Sequence, residues 1–277
     1  MTVFPGDILM NPLVQIYLAT IAAILLGAGL LQLIPKLGGL GRKFSNWLCY
    51  APALDIVVFY FTALPAVIAA FVAGWLGLAV AVAGQFTGML LWTTLHELAH
   101  PAARKGPRIF PTLNKIVGMW RNHFAVWWTA WAVPGFWMIR LVQYFAYPVI
   151  TWTVKFPKYR DREWINLSRH KFNGLVGYDL IWCLYCDWMT GVWSLGSEML
   201  RNVESFWCPI RFDSTKKCDH CKGDFPDIVG GWIKSDGTMQ EVQELLQSKY
   251  KPEQKANSWF GHPARLTIDG KVIEGED

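Results

Sequence analysis

Two stretches of the chain contain no charged residue, residues 13–34 and residues 56–96. A helix that crosses a bilayer needs about 20 consecutive apolar residues. The first run therefore predicts one spanning helix, and the second, at 41 residues, predicts two. Pro65 falls in the first half of the second run, and Gly74, Trp75 and Gly77 supply its turn. No Lys or Arg precedes the first run, and it is longer than a signal-peptide core, so it predicts a retained transmembrane helix. The pattern is that of an integral membrane protein.

Beyond residue 100 the pattern loosens. Residues 123–154 carry Arg140 as their only charge, and Pro134-Gly135 interrupts them a third of the way along. Proline removes a backbone donor and glycine loosens a helix. The expectation is a re-entrant or interfacial helical pair, with an ordinary kinked span as the alternative. Residues 172–200 are apolar but hold Asp179, Asp187 and Glu198. They predict either a fourth helix with its acids turned inward or an amphipathic helix lying on the membrane. From Cys208 the chain reads as soluble. Residues 228–234 predict a strand, and Thr238 with Glu241 has the spacing of a capping box that opens a helix to about Tyr250. Asp269-Gly270 predicts a hairpin between residues 265–268 and 271–273. The expected fold is an α-helical integral membrane protein with a small cytoplasmic α+β C-terminal domain. It divides into a three-span region (1–122), Trp-rich membrane-embedded or interfacial helices (123–207) and a tail (208–277).

Composition agrees with this class. Hydrophobic residues make up 53% of the 277 and charged residues only 17%, against about a quarter in soluble domains. With 6 Cys, a disulfide-rich secreted domain is excluded, as are a soluble one-domain enzyme and a disordered chain. The net charge of +5 conceals three blocks: residues 1–100 are balanced, 101–171 carry +10, and 172–277 carry −5. Short loops rich in Lys and Arg stay in the cytoplasm. Lys36, Arg42 and Lys43, with the cluster Arg104, Lys105, Arg108, Lys115 and Arg121, therefore place the N-terminus outside and the tail in the cytoplasm. Ten of the 16 Trp lie between Trp120 and Trp193, as in an interfacial belt. The basic block has apolar neighbours, so it predicts contact with the lipid bilayer rather than with nucleic acid.

The sharpest chemical signal is His96-Glu97-Leu98-Ala99-His100. On a helix, residues four apart share a face, so His96 and His100 can present imidazoles to one zinc ion. Glu97 then stands beside them as general base for a metal-bound water. The structural alternative is that two histidines at a helix end cap carbonyls or meet lipid headgroups. The motif, followed by Ala102-Ala103-Arg104-Lys105, resembles that of membrane-embedded zinc metalloproteases, the site-two proteases and the antibiotic-sensor metalloproteases. The resemblance covers about fifteen residues. It implies hydrolysis of peptide bonds in a membrane protein substrate, with Glu97 catalytic and His96 and His100 on zinc. It also implies a third ligand, for which Asp187 in Cys186-Asp187 stands first and Asp179 and Glu198 follow. Departures go with it. Pro101 stands where the family helix continues, the later Asp-Gly motif of site-two proteases does not occur in the membrane part, and Cys183, far along the chain from the histidines, stands where the sensor proteases carry a Glu three residues before their Cys-Asp pair.

A second metal signal is Cys218-Asp219-His220-Cys221, which has the spacing of a zinc knuckle. Cys208 is the natural third ligand. His220, His262 or a cysteine of the pair Cys183 and Cys186 is the fourth, and iron fits the same thiols as zinc. Two functions from different classes follow. One is a membrane-embedded zinc peptidase. The other is a non-catalytic membrane subunit or anchor of a larger complex, with a metal-bearing tail that docks a partner.

Overall fold

The structure, a computed structural model, describes residues 11–210 and 231–253 together with the backbone at 267–268 and 271–272. Its helices are α1 (Pro12–Leu33), α2 (Gly38–Leu48), α3 (Ala53–Thr62), α4 (Leu64–Ala99), α5 (Pro101–Lys105), α6 (Ile109–Val117), α7 (Met119–Trp128), α8 (Val133–Val154), α9 (Asp161–Trp164), α10 (Gly177–Trp207) and α11 (Met239–Lys249). By contacts the chain divides into two compact units, Met1–Val133 with Ile165–Thr190, and Pro134–Trp164 with Gly191–Asp277.

Two helices are long and apolar enough to cross a membrane: α1, extended by a 3-10 turn to Lys36, and α4. Helix α1 starts under the side chain of Asn11, which accepts from the Leu13 N–H at 2.9 Å, with Pro12 in the first turn. Helix α4 has 36 residues, but its dihedrals leave the helical region at Ala73 (φ −137°, ψ 23°) and Gly74 (φ 59°, ψ −150°). The second of these conformations is one that glycine alone adopts without strain. The chain reverses there. Twelve or so residues on either side, the Gln85 side-chain amide donates to the carbonyls of Phe61 (2.9 Å) and Thr62 (2.7 Å). The long apolar run thus folds as two antiparallel arms around the turn, with the first arm broken again between α3 and α4.

Helix α1 lies along the second arm. Tyr17 Oη and Thr87 Oγ1 share a hydrogen bond of 2.7 Å, Gly84 faces Thr20, and Gly88 faces Ile24, so the two helices run parallel. Gly84 and Gly88 are four residues apart and let the backbones approach, the usual basis of helix contact where lipid is the competitor. Hydroxyls on this surface are satisfied within their own helices, as with Thr20 to the Ile16 carbonyl (2.8 Å) and Thr94 to that of Leu90 (2.8 Å). The remainder of the first unit is tied on by polar and aromatic contacts. The buried Asp55 carboxylate accepts from Trp188 Nε1 at 2.8 Å, and residues 49–51 pair with 165–167 through Ala51 N–H to Ile165 O (3.0 Å) and Leu167 N–H to Cys49 O (2.8 Å). Phe110 meets Tyr178 edge-on at 4.3 Å and Trp127 meets Trp182 at 5.2 Å, which lays α6 and α7 against α10.

The interruption expected at Pro134-Gly135 falls just before it. A 3-10 turn over Thr129–Ala132 separates α7 from α8, and α8 then continues through Pro148. In the second unit Arg140 is fully buried. Its guanidinium reaches Asp161 Oδ2 (2.6 Å), Gln143 Oε1 (2.7 Å) and Tyr144 Oη (2.9 Å), and stacks 4.1 Å from the Tyr144 ring centre. Asn202 Nδ2 donates to Tyr159 Oη at 2.6 Å, and Gln143 Nε2 donates to the Val192 carbonyl at 2.8 Å.

The expected α+β tail is corrected. The described residues are mostly helical, and their paired extended structure is Thr267–Ile268 against Lys271–Val272 plus isolated bridges such as Ile210 with Ile233. Strands of two residues present no face to bury, so among the described residues no sheet layer and no α+β domain forms. The capping box is present: Thr238 Oγ1 accepts from Glu241 N–H (3.3 Å) while Glu241 Oε2 accepts from Thr238 N–H (2.6 Å). Helix α11 is followed by Tyr250, whose hydroxyl donates to the Ser205 carbonyl at 3.2 Å and whose ring meets Phe206.

Two outcomes are expected. A Cβ at Gly84 already lies 3.0 Å from Thr20 Cβ and Tyr17 O. Gly84→Leu should therefore cost about 1–3 kcal/mol, read as a lowered thermal midpoint in detergent. Asp161→Ala removes the carboxylate that lies 2.6 Å from the buried Arg140 guanidinium and should lower stability. Arg140→Leu combined with Asp161→Ala should be milder, as denaturant titration of the pair would show.

Candidate functional site

The His96–His100 segment closes α4, and its physics begins with Pro101. A residue before proline is pushed out of the α region. His100 accordingly sits at φ −124°, ψ 65°, ends α4 and precedes the separate short helix α5. Helix α10 begins opposite, at Gly177. The first N–H groups of a helix have no partner within it and carry the positive end of its dipole. Here the motif supplies the partners. Gly177 N–H donates to His96 Nδ1 at 3.0 Å, and Tyr178 N–H donates to Glu97 Oε1 at 3.3 Å. Gly177 has φ +53°, and a Cβ there would collide with the Glu97 carboxylate, so glycine is required on both counts.

The charge on Glu97 is balanced by Arg108, from the segment after α5. Arg108 Nη2 donates to Glu97 Oε1 at 2.7 Å, and its Nε donates to Asp179 Oδ2 at 2.9 Å. Asp179 Oδ1 accepts from the Phe110 N–H at 3.0 Å. The Arg108 and Asp179 side chains are 8% and 3% exposed and that of Glu97 is 20% exposed, so this is a desolvated ion triad rather than a surface pair. Two carboxylates face one guanidinium, and the excess negative charge is met by backbone N–H groups at the start of α10 and α6.

This hydrogen bonding constrains the metal chemistry. A neutral imidazole has one N–H and one lone pair. Because His96 Nδ1 accepts, its proton sits on Nε2, and neither nitrogen offers a lone pair to a metal in this arrangement. His100 differs: Nδ1 lies 2.8 Å from the His96 carbonyl oxygen, which only accepts, so Nδ1 carries the proton and Nε2 is bare. The two rings stack with centres 4.3 Å apart, and Trp92 stacks on His96 from the other side. The residues do not fit a zinc site as they stand.

Asp187 is not brought to the histidines. Its carboxylate orders the turn at 168–169, accepting from Ser168 N–H (2.9 Å), Arg169 N–H (2.8 Å) and Arg169 Nε (2.9 Å). Glu198 is fully buried on the part of α10 that belongs to the second unit, beside Arg201. Cys208 is an exposed free thiol; Cys218, Cys221, His220 and His262 lie outside the described residues. Cys183 and Cys186 are also free thiols, and burial pushes the Cys183 thiol up, away from the thiolate that binds metal. Among the described residues no group of three His, Cys, Asp or Glu is arranged to hold a metal ion.

Two members of the site were not singled out from the sequence, Arg108 and Gly177. Arg108 was one of five clustered cations. The available signal for Gly177 is Gly177-Tyr178-Asp179, a glycine followed by an acid in the first turn of an apolar helix. Compared with protein families, curated proteins and solved structures, the chain matches none.

Arg108→Leu should leave the buried Asp179 carboxylate without its cation and Glu97, 20% exposed, with only the more distant Arg104, and should cost about 3 kcal/mol. Arg108→Lys should recover only part, because one ammonium cannot reproduce the fork that serves both acids. Thermal unfolding followed by circular dichroism in detergent gives the order wild type, Lys, Leu.

Proposed function

We propose that the chain is a non-catalytic integral membrane protein, a subunit or anchor of a larger membrane complex. Its N-terminus lies outside and its tail in the cytoplasm. The observation that carries this reading is the use made of His96 and Glu97: both side chains are spent as acceptors capping α10, and Glu97 is further bound in the Arg108 ion triad. Glu97 thereby has a structural reason to stand at the end of an uncharged run. Two further features support the membrane setting and its orientation. Large apolar side chains on α1 and α4, Leu26, Leu30 and Leu95 among them, are exposed as lipid-facing residues would be. Helix α1 and the second arm of α4 run parallel, so the cations after both, Lys36, Arg42 and Lys43, and Arg104 and Lys105, follow the same end of the pair, in accord with the distribution of positive charge. In this reading Cys208, Cys218 and Cys221 hold zinc or iron in the tail, and the tail docks the partner.

One observation favours the second reading, a zinc peptidase: the bare Nε2 of His100 beside the His96 ring. It requires His96 and Glu97 to leave α10, freeing a lone pair and a general base. The two readings part at Glu97→Gln and His96→Ala. For the anchor, Glu97→Gln weakens the tie to Arg108 and lowers stability by about 1–3 kcal/mol, while wild type and both variants carry equal metal by elemental analysis. For the peptidase, His96→Ala loses one zinc per chain, and Glu97→Gln folds normally, keeps zinc and cleaves nothing.

A further inference from the structure

We infer that α6, α7 and the 3-10 turn after them lie flat in the membrane–water boundary and dock on the headgroups of anionic phospholipids. This rests on the membrane reading above. Helix α6 exposes Ile109, Leu113, Ile116 and Val117, spaced as one helical face, with Ile116 70% exposed. Helix α7 exposes Trp120, Phe124 and Trp128 at intervals of four, and Trp131 continues the row; Trp120 and Trp131 are 79% and 75% exposed. The opposite sides are already used. Phe110, His123 and Trp127 pack on Tyr178 and Trp182 of α10. The chain turns at Gly118 (φ 89°, ψ 141°), and Phe110 meets His123 at 5.4 Å, so α6 and α7 lie side by side, each with an apolar or aromatic outer face, beginning ten residues after α4 ends.

Charge complementarity selects the occupant. Arg104, Lys105, Lys115 and Arg121 are all exposed around these faces, and no Asp or Glu occurs anywhere in residues 98–160. Arg108, the fifth cation of the cluster, is excluded because it is held between Glu97 and Asp179. Indole rings prefer the headgroup level, and apolar faces flanked by Lys and Arg bind in the plane of anionic bilayers. Each cation near such a surface is worth about 1 kcal/mol, or a factor of about five in the docked-to-undocked ratio of the segment.

The test uses the full chain reconstituted in phosphatidylcholine vesicles, with and without phosphatidylglycerol, and with lipids brominated near the headgroup end of the acyl chain. The signal is the difference in tryptophan fluorescence between wild type and the triple variant Trp120→Phe, Trp128→Phe, Trp131→Phe. These three tryptophans should be quenched by brominated lipid, more strongly with phosphatidylglycerol. Most of that enhancement should vanish in the variant Arg104→Gln, Lys105→Gln, Lys115→Gln, Arg121→Gln, whose circular dichroism should match wild type. Unquenched tryptophans in a chain that resists carbonate extraction would overturn the docking and leave the membrane reading intact. Quenching indifferent to lipid charge would overturn the anionic headgroup as the ligand. Extraction of the chain by carbonate would remove the membrane reading, and the docking with it.

Discussion

The guanidinium of Arg108 joins three parts of the chain that share no secondary structure. These are the end of the long apolar helix through Glu97, the start of the last long helix through Asp179, and the loop that carries the arginine itself. Each charge in the triad is largely withdrawn from water, and a desolvated charge is tolerable only with a partner and saturated hydrogen bonds. One cation sits between two carboxylates, and Glu97 Oε1 and Asp179 Oδ1 also accept from the N–H groups of Tyr178 and Phe110. Because those donors are the unpaired N–H groups of helix starts, the triad also sets where α10 and α6 begin. The aromatic contacts of Phe110 and Trp127 with Tyr178 and Trp182 then follow from where α10 starts.

The same residues that would serve a metal serve a helix end, and which they do is decided atom by atom. An imidazole nitrogen that accepts a backbone N–H has no lone pair left for zinc, and a carboxylate bound to arginine is a poor base. Pro101 ends α4 at His100, and the two histidines differ by partner: His96 Nδ1 accepts from Gly177 N–H, while His100 Nδ1 donates to the His96 carbonyl. A two-histidine pattern on a helix is thus compatible with opposite roles, and the pattern itself carries no information about the donors that approach it from elsewhere in the chain.

Two packing regimes coexist in the molecule. Along α1 and the second arm of α4 the contacts are close backbone approaches at Gly84 and Gly88, and hydroxyls bond to their own helix or to each other. That is an economy suited to lipid, where apolar surface alone confers no preference for a neighbour. Around α8 and the second half of α10 the contacts are buried polar networks, Arg140 with Asp161 and Gln143, and Asn202 with Tyr159, set among aromatic rings. Such networks confer specificity when every member is satisfied, and they are sensitive to the loss of any one member.

Much of this architecture is local and was readable along the chain. The uncharged runs located α1 and α4, two helices long enough to cross a membrane where three spans were expected, because α3 breaks off at Thr62; Gly74 located the break inside α4. Pro134 marked the end of a break, and Thr238 with Glu241 the start of α11. These depend on hydropathy, backbone dihedrals and neighbours within four residues. The tail was misread as α+β for the same reason. A turn dipeptide and a few β-branched residues specify a local reversal, but a sheet needs a face with something to cover. The role of the His96–His100 segment was open to both a metal and a structural reading, because its determinants are remote: Gly177 lies 81 residues from His96, Asp179 lies 71 from Arg108, and Trp188 lies 133 from Asp55. Sequence by itself determined which residues could be buried, charged or turned. Only the tertiary structure decided which donor met which acceptor, because hydrogen bonds and ion pairs depend on ångström-scale proximity that spacing along a chain does not encode.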